Sequence, residues 1–123
     1  VTGTGRFLKA MKPSAKVFAV APAESPLLEG GQAGPHKIQG IGANFVPDNY
    51  DPSVVDEVVP VRSDDALAMK DRLAEQLGLL VGISAGAAVS AAVELANRED
   101  MEGSVIVAVL PDTGERYLSL IEA

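Results

Sequence analysis

No cysteine occurs anywhere in the 123 residues, which excludes disulfides, thiol nucleophiles and Cys-based metal sites. Aromatic residues are scarce at 4%, so a core must rest on Val, Leu, Ile and Ala. Basic residues are in the minority: ten Lys and Arg stand against 17 Asp and Glu, for a formal net charge of −7. That field repels nucleic acid and anionic membrane, and no dense Lys/Arg cluster offsets it. No apolar run approaches the roughly 18 residues of a membrane span, and the N-terminus lacks a charged-then-apolar signal pattern. A cytoplasmic location is therefore expected, with neither nucleic acid nor membrane as partner. Histidine occurs once, at His36, and nothing has metal-ligand spacing, so no metal site is expected.

What is present suits a packed core. Hydrophobic residues make up 47% of the chain, and a chain of this size buries roughly two-thirds of its surface. Residues 1–123 read as a single domain. Thr2 to Met11 is helical, with Phe7, Leu8 and Met11 on one face and Pro13 as the stop. Lys16 to Ala21 is a buried-strand run ended by Pro22. From there to about Pro52 the chain is rich in Gly and Pro, and an irregular stretch of that length inside a compact domain is usually functional. Glu57 to Val61 reads as a second strand. Ser63 is placed to cap a helix, with Asp64 and Asp65 in its first turn and Gly78 as its end. The apolar face of that helix is Ala66, Met69, Leu73 and Leu77. Ala85 to Ala96 is small and apolar nearly all round, which predicts a buried helix. Ser104 to Leu110 is the clearest strand, apolar on both faces as in a covered parallel sheet. Alternating strands and helices predict a three-layer α/β domain with a mostly parallel sheet.

Gly82-Ile83-Ser84-Ala85-Gly86 matches Gly-x-Ser-x-Gly, with Leu79, Leu80 and Val81 before it and a helical stretch after it. A nucleophile elbow in an α/β-hydrolase has this context, but it needs a later acid and then a histidine. His36 lies upstream, so the fold that the motif implies is removed. Taken alone, Ser84 reads as a helix cap in a tight turn. The Ser84 turn and the Asp112-Thr113 turn each follow a strand, and ligands sit at the carboxyl ends of strands in an open parallel sheet. Both turns therefore belong on one rim. Lys37 sits in a polar loop and Lys70 beside Asp71 on an exposed helix face, so neither is desolvated as an amine nucleophile needs. Gly3-x-Gly5 lacks the strand and third glycine of a dinucleotide fingerprint.

Three strings occur in order: Gly34-Pro35-His36-Lys37-Ile38-Gln39-Gly40-Ile41-Gly42, Gly82-Ile83-Ser84-Ala85-Gly86, and Pro111-Asp112-Thr113-Gly114-Glu115-Arg116-Tyr117-Leu118. Together they strongly resemble the cysteine synthase (O-acetylserine sulfhydrylase) family. These are pyridoxal-phosphate enzymes on the fold shared with the tryptophan synthase β subunit. The resemblance covers essentially the whole chain. It implies the C-terminal (large) domain of a two-domain enzyme, with the phosphate loop, the Schiff-base lysine and the Asn-containing substrate loop further upstream. The resemblance implies that such a phosphate loop comes immediately before the helix that begins at Val1-Thr2-Gly3.

Carried over residue by residue, the resemblance implies that Ser84 hydrogen-bonds the pyridine nitrogen of pyridoxal 5′-phosphate. It implies that Pro111, Asp112 and Thr113 lie near the pyridine edge, and that Gly40, Ile41 and Gly42 face the substrate. A carboxylate there would keep the pyridine protonated and the ring a strong electron sink, whereas a neutral hydroxyl stabilises less carbanion character, which suits β-elimination of a good leaving group. The family does not use the histidine at the place of His36 as a base. Ala85 departs from the family pattern, where a second Ser often stands, and Asn44 stands where many relatives have Gly. The implied reaction of the complete enzyme is replacement of the acetate of O-acetylserine by sulfide to give cysteine. The expected substrate is a small amino acid, the expected assembly a homodimer, and a further expected partner the C-terminal tail of serine acetyltransferase. No catalytic residue is assigned within this chain, which is expected to bind no cofactor and to be inactive alone. Alternatives are a non-catalytic domain, a complementing subunit, or a cystathionine β-synthase-like or O-phosphoserine-using relative.

Overall fold

A computed structural model describes residues 1–120. Two strands, β1 (Phe18–Pro22) and β2 (Glu57–Val61), pair in parallel with Phe18 opposite Glu57 and Pro22 opposite Val61. Both segments are dominated by small and β-branched apolar residues, which pack well on a pleated surface. Val59 at the centre of β2 is 0% exposed, and burying such a side chain contributes about 1.5–3 kcal/mol. The architecture is α/β with a parallel sheet, as the sequence predicts.

Three α-helices accompany the sheet: α1 (Thr2–Met11), α2 (Ser63–Leu77) and α3 (Ile83–Ala96). Helix α3 packs on the strands and α2 packs on α3. The two helices approach closely at Gly86, where a Cβ would strike the Ala66 carbonyl oxygen. Ala66, Ala87 and Ala91 are all essentially buried along this seam. Small residues let the two backbones come together, and α2 ends at Gly78, whose φ of 66° is left-handed.

Four sequence expectations are corrected. Ser104 to Leu110 joins no ladder among the described residues. Ile106 packs against the core, whereas Val105, Val107 and Val109 are 91%, 84% and 72% exposed. An apolar run is not enough for a strand, which also needs a hydrogen-bonded neighbour, and this segment pairs with none among the described residues. Phe7, Leu8 and Met11 of α1 are exposed. The helix is instead seated through Gly5, where a Cβ would come within 2.5 Å of Val54. On α2, Leu77 at the last turn is exposed while Ala66 and Leu73 are buried. Helix α3 is buried all round only over its first turn and a half, and its later turns expose Val93 and Glu94.

The capping of α2 is also rearranged. Ser63 is the first helical residue and the cap position is Arg62. The Ser63 amide donates to Glu24 Oε1 at 2.8 Å, and the Ser63 hydroxyl accepts the Lys37 amide at 2.9 Å. A carboxylate from 39 positions away thus caps the helix, in the place where a local hydroxyl is expected. The residues from Ala23 to Asp56 contain only two short 3₁₀ turns, Leu27–Glu29 and Pro52–Val54. They are nevertheless anchored, because Ile38 is 0% exposed within the same core cluster as Val59 and Ile83.

Candidate functional site

Ser84 lies in the first turn of α3, behind the cap residue Gly82. Its hydroxyl therefore does not serve as the helix cap. Ile83, Ala85 and Ala87 around it are 0–1% exposed, and Ser84 itself is 6% exposed. A nearly buried hydroxyl in apolar surroundings needs a polar partner. The side it can reach is an open groove of about 1720 Å³. Ser84, Gly40, Ile41, Gly42 and Pro111 all line this groove, together with residues 18–21 of β1 and the 104–109 segment.

Gly40 brings the irregular loop onto Ser84. Its φ is +100°, and a Cβ built there would stand 3.5 Å from Ser84 Oγ. Only glycine takes that backbone without strain, and its bare Cα leaves the space over the hydroxyl open. Gly42 is also left-handed, with φ +67°.

The Asp112-Thr113 turn meets the opposite side of the Ser84 turn. Val81 and Thr113 form an isolated antiparallel bridge, with Gly82 N–H donating to Asp112 O at 3.2 Å and Gly114 N–H donating to Leu80 O at 3.1 Å. The Asp112 carboxylate sits against Gly82, where any Cβ would collide with it. It accepts a hydrogen bond from the Tyr117 hydroxyl through Oδ2, while Oδ1 is buried without a partner among the described residues. The hydrogen bond to Asp112, together with burial, raises the Tyr117 hydroxyl above its ordinary pKa. A carboxylate beside the start of α3 is favoured by the helix dipole.

The two turns thus adjoin, and Gly40 joins them from the long loop. Asp112 and Thr113 do not line the groove itself, and of their string Pro111 alone does so. Lys37 is exposed and faces Asp64 at 3.9 Å. Lys70 departs from the sequence reading: its side chain is only 16% exposed. Its backbone nitrogen lies at the close approach of Gly86, and its ammonium stays with Asp71 at 2.7 Å. Glu24 was not singled out in the sequence, because its link to Ser63 is long-range and carries no local signal.

Residues 1–112 match the family model described as "Pyridoxal-phosphate dependent enzyme", and the chain belongs to that family. Over 119 residues it is 48% identical to cysteine synthase 3 of Caenorhabditis elegans, covering 97% of this chain and 35% of that protein. It is 44% identical to a cysteine synthase of Staphylococcus aureus, covering 97% of this chain and 38% of that protein. The O-acetyl serine sulfhydrylase isoform 3 structure from Entamoeba histolytica superposes with a TM-score of 0.95 at 49% identity, over 97% of this chain and 36% of that one. The chain thus spans little more than a third of the length of the curated relatives it matches.

Proposed function

We propose that this chain supplies the pyridine side of a pyridoxal-phosphate site that makes cysteine from O-acetylserine and sulfide. The observation that carries the reading is Ser84, a nearly buried hydroxyl opening on a groove beneath a glycine with no Cβ to block it. Ser84, Gly40 to Gly42 and Pro111 line the groove and fit the group: Ser84 would hold the ring nitrogen, Gly40 to Gly42 would border the substrate and Pro111 would flank the ring edge, while Asp112 and Thr113 would act from behind the Ser84 turn. When bound, the cofactor supplies the electron sink for β-replacement, and a neutral serine moderates it where a carboxylate would strengthen it.

The lysine and the phosphate-binding loop come from another segment in this reading, so the chain alone forms one part of a two-domain enzyme and is inactive. None of the five lysines is both buried and free of a carboxylate, although Lys12 and Lys16 border the groove. Lys9 pairs with Asp56, Lys37 with Asp64 and Lys70 with Asp71, while Lys12 and Lys16 are exposed. The proposed assembly is a homodimer in the cytoplasm that can seat the tail of serine acetyltransferase in its cleft. Sedimentation and titration with that peptide test those partners. Among the described residues no helix is long and apolar enough to cross a membrane.

The test joins this chain to a lysine-bearing half and assays cysteine formation from O-acetylserine and sulfide. Turnover appears with Ser84 in place and falls about tenfold in Ser84→Ala, the effect of one lost hydrogen bond. Unchanged turnover in Ser84→Ala would overturn the role of the serine. Turnover with O-phosphoserine but not O-acetylserine would reassign the substrate. Turnover by this chain alone would overturn the division of labour.

A further inference from the structure

His36 makes two hydrogen bonds that fix its chemistry. The Ile38 backbone N–H donates to Nδ1 at 3.1 Å, and Nε2 stands 2.8 Å from the Gly42 carbonyl oxygen. An amide nitrogen can only donate and a carbonyl oxygen can only accept. Nδ1 must therefore carry the lone pair and Nε2 the proton, which makes the ring neutral with a single tautomer. Either the other tautomer or the imidazolium would set an N–H against the Ile38 N–H.

The ring is also held on both sides of the loop it grips. Ile38, two residues on, is 0% exposed and belongs to the main core. Lys37, between them, donates its amide to Ser63 Oγ, and the Ser63 amide is held by Glu24. The base of the loop is thereby tied to the β2–α2 junction. At the other end, Gly42 lies so close to the ring that any Cβ would collide with Nε2. Between these fixed points the chain passes Gly40, which stands over Ser84.

We propose that His36 is a positioning residue, a neutral Nε2–H clasp that holds the Gly40–Gly42 loop in register over the Ser84 hydroxyl. The clasp sets the height of the loop above the groove, and so the space left for whatever Ser84 binds. Its importance to catalysis rests on the functional reading above, but the clasp itself does not.

The experiment is nuclear magnetic resonance on the full 123-residue chain. In the wild type, Nδ1 shows a pyridine-like and Nε2 a pyrrole-like nitrogen shift. In His36→Ala, the Ile38 amide exchanges about tenfold faster, as for one lost hydrogen bond. The amides of Gly40, Ile41 and Gly42 lose order while those of β1 and β2 keep their protection. In His36→Asn, whose Oδ1 can stand where Nδ1 does, Ile38 protection returns but loop order does not. A pyrrole-like Nδ1 in the wild type would overturn the proposal, and this readout needs no variant to fold. Loop order unchanged in His36→Ala would overturn it as well. None of these readouts involves a cofactor, so a failed clasp and a failed cofactor assignment are told apart.

Discussion

Glu57 to Val61 and Ser104 to Leu110 are built from similar residues, yet they end in different states. The first is β2, hydrogen-bonded in register to β1 with Val59 sealed in the core. The second is richer in apolar residues, but it joins no ladder among the described residues and leaves three valines in solvent. The difference lies in their neighbours. β2 is reached by a partner strand on one side and by α3 on a face, whereas 104–109 borders an open groove. Composition sets the backbone conformation, and the partner available sets burial and pairing.

The contrast predicts unequal costs for the same substitution. Val59→Asp should abolish folding, since an unpaired charge in that place costs upward of about 4 kcal/mol. Ile38→Ala, in the same cluster as Val59, should destabilise by about 3 kcal/mol in urea titration. A loss under about 1 kcal/mol would mean that the long loop is not anchored by the core.

Acid should act on the β2 side as well. Glu57 is held below its ordinary 4.5 chiefly by its hydrogen bonds from Arg98. Asp56 is held below 3.8 chiefly by Lys9 and then by the Val17 amide. Asp51, bonded to the Ser53 hydroxyl and to Arg6, is lowered to about 2. Because these folded-state values are depressed, their stabilisation is complete above the ordinary carboxylate range. It is lost as pH falls from about 4.5 toward about 2. The 104–110 segment carries no charged residue, so its variants should keep the same acid profile. Thermal melts across that range check both statements, and Glu57→Gln should flatten the upper part of the curve.

Within the unpaired segment the alternation itself is testable. Ile106→Ala, on the core-facing side, should cost about 1–2 kcal/mol, less than a fully buried site. Val107→Asp, on the open side, should change stability by under about 0.5 kcal/mol. Equal costs at the two positions would mean that the segment is covered on both faces.

Local pattern carried far in this chain, and it failed where contacts are distant. β2 was legible to the residue, and the helices to within two or three positions, because periodicity and Gly78 are local signals. The capping of α2 by Glu24 was not legible, since nothing near Ser63 announces a carboxylate 39 positions earlier. The seating of α1 through Gly5 was missed for a related reason. Its apolar residues mark a face, but only the fold shows that the close contact falls on the glycine. In the site, the strings around Gly40, Ser84 and Asp112 could be named from sequence. That Gly40 lies over Ser84, with Asp112 against Gly82, required the three-dimensional chain.

The central claim is that Ser84 presents a neutral hydroxyl to a ring nitrogen. Nitrogen magnetic resonance of ¹⁵N-labelled pyridoxal phosphate, in the protein joined to a lysine-bearing half, tests it most directly. The expected shift is that of an unprotonated, hydrogen-bonded nitrogen, moving to that of a pyridinium in Ser84→Asp. A pyridinium shift in the wild type, or no change on substitution, would contradict it.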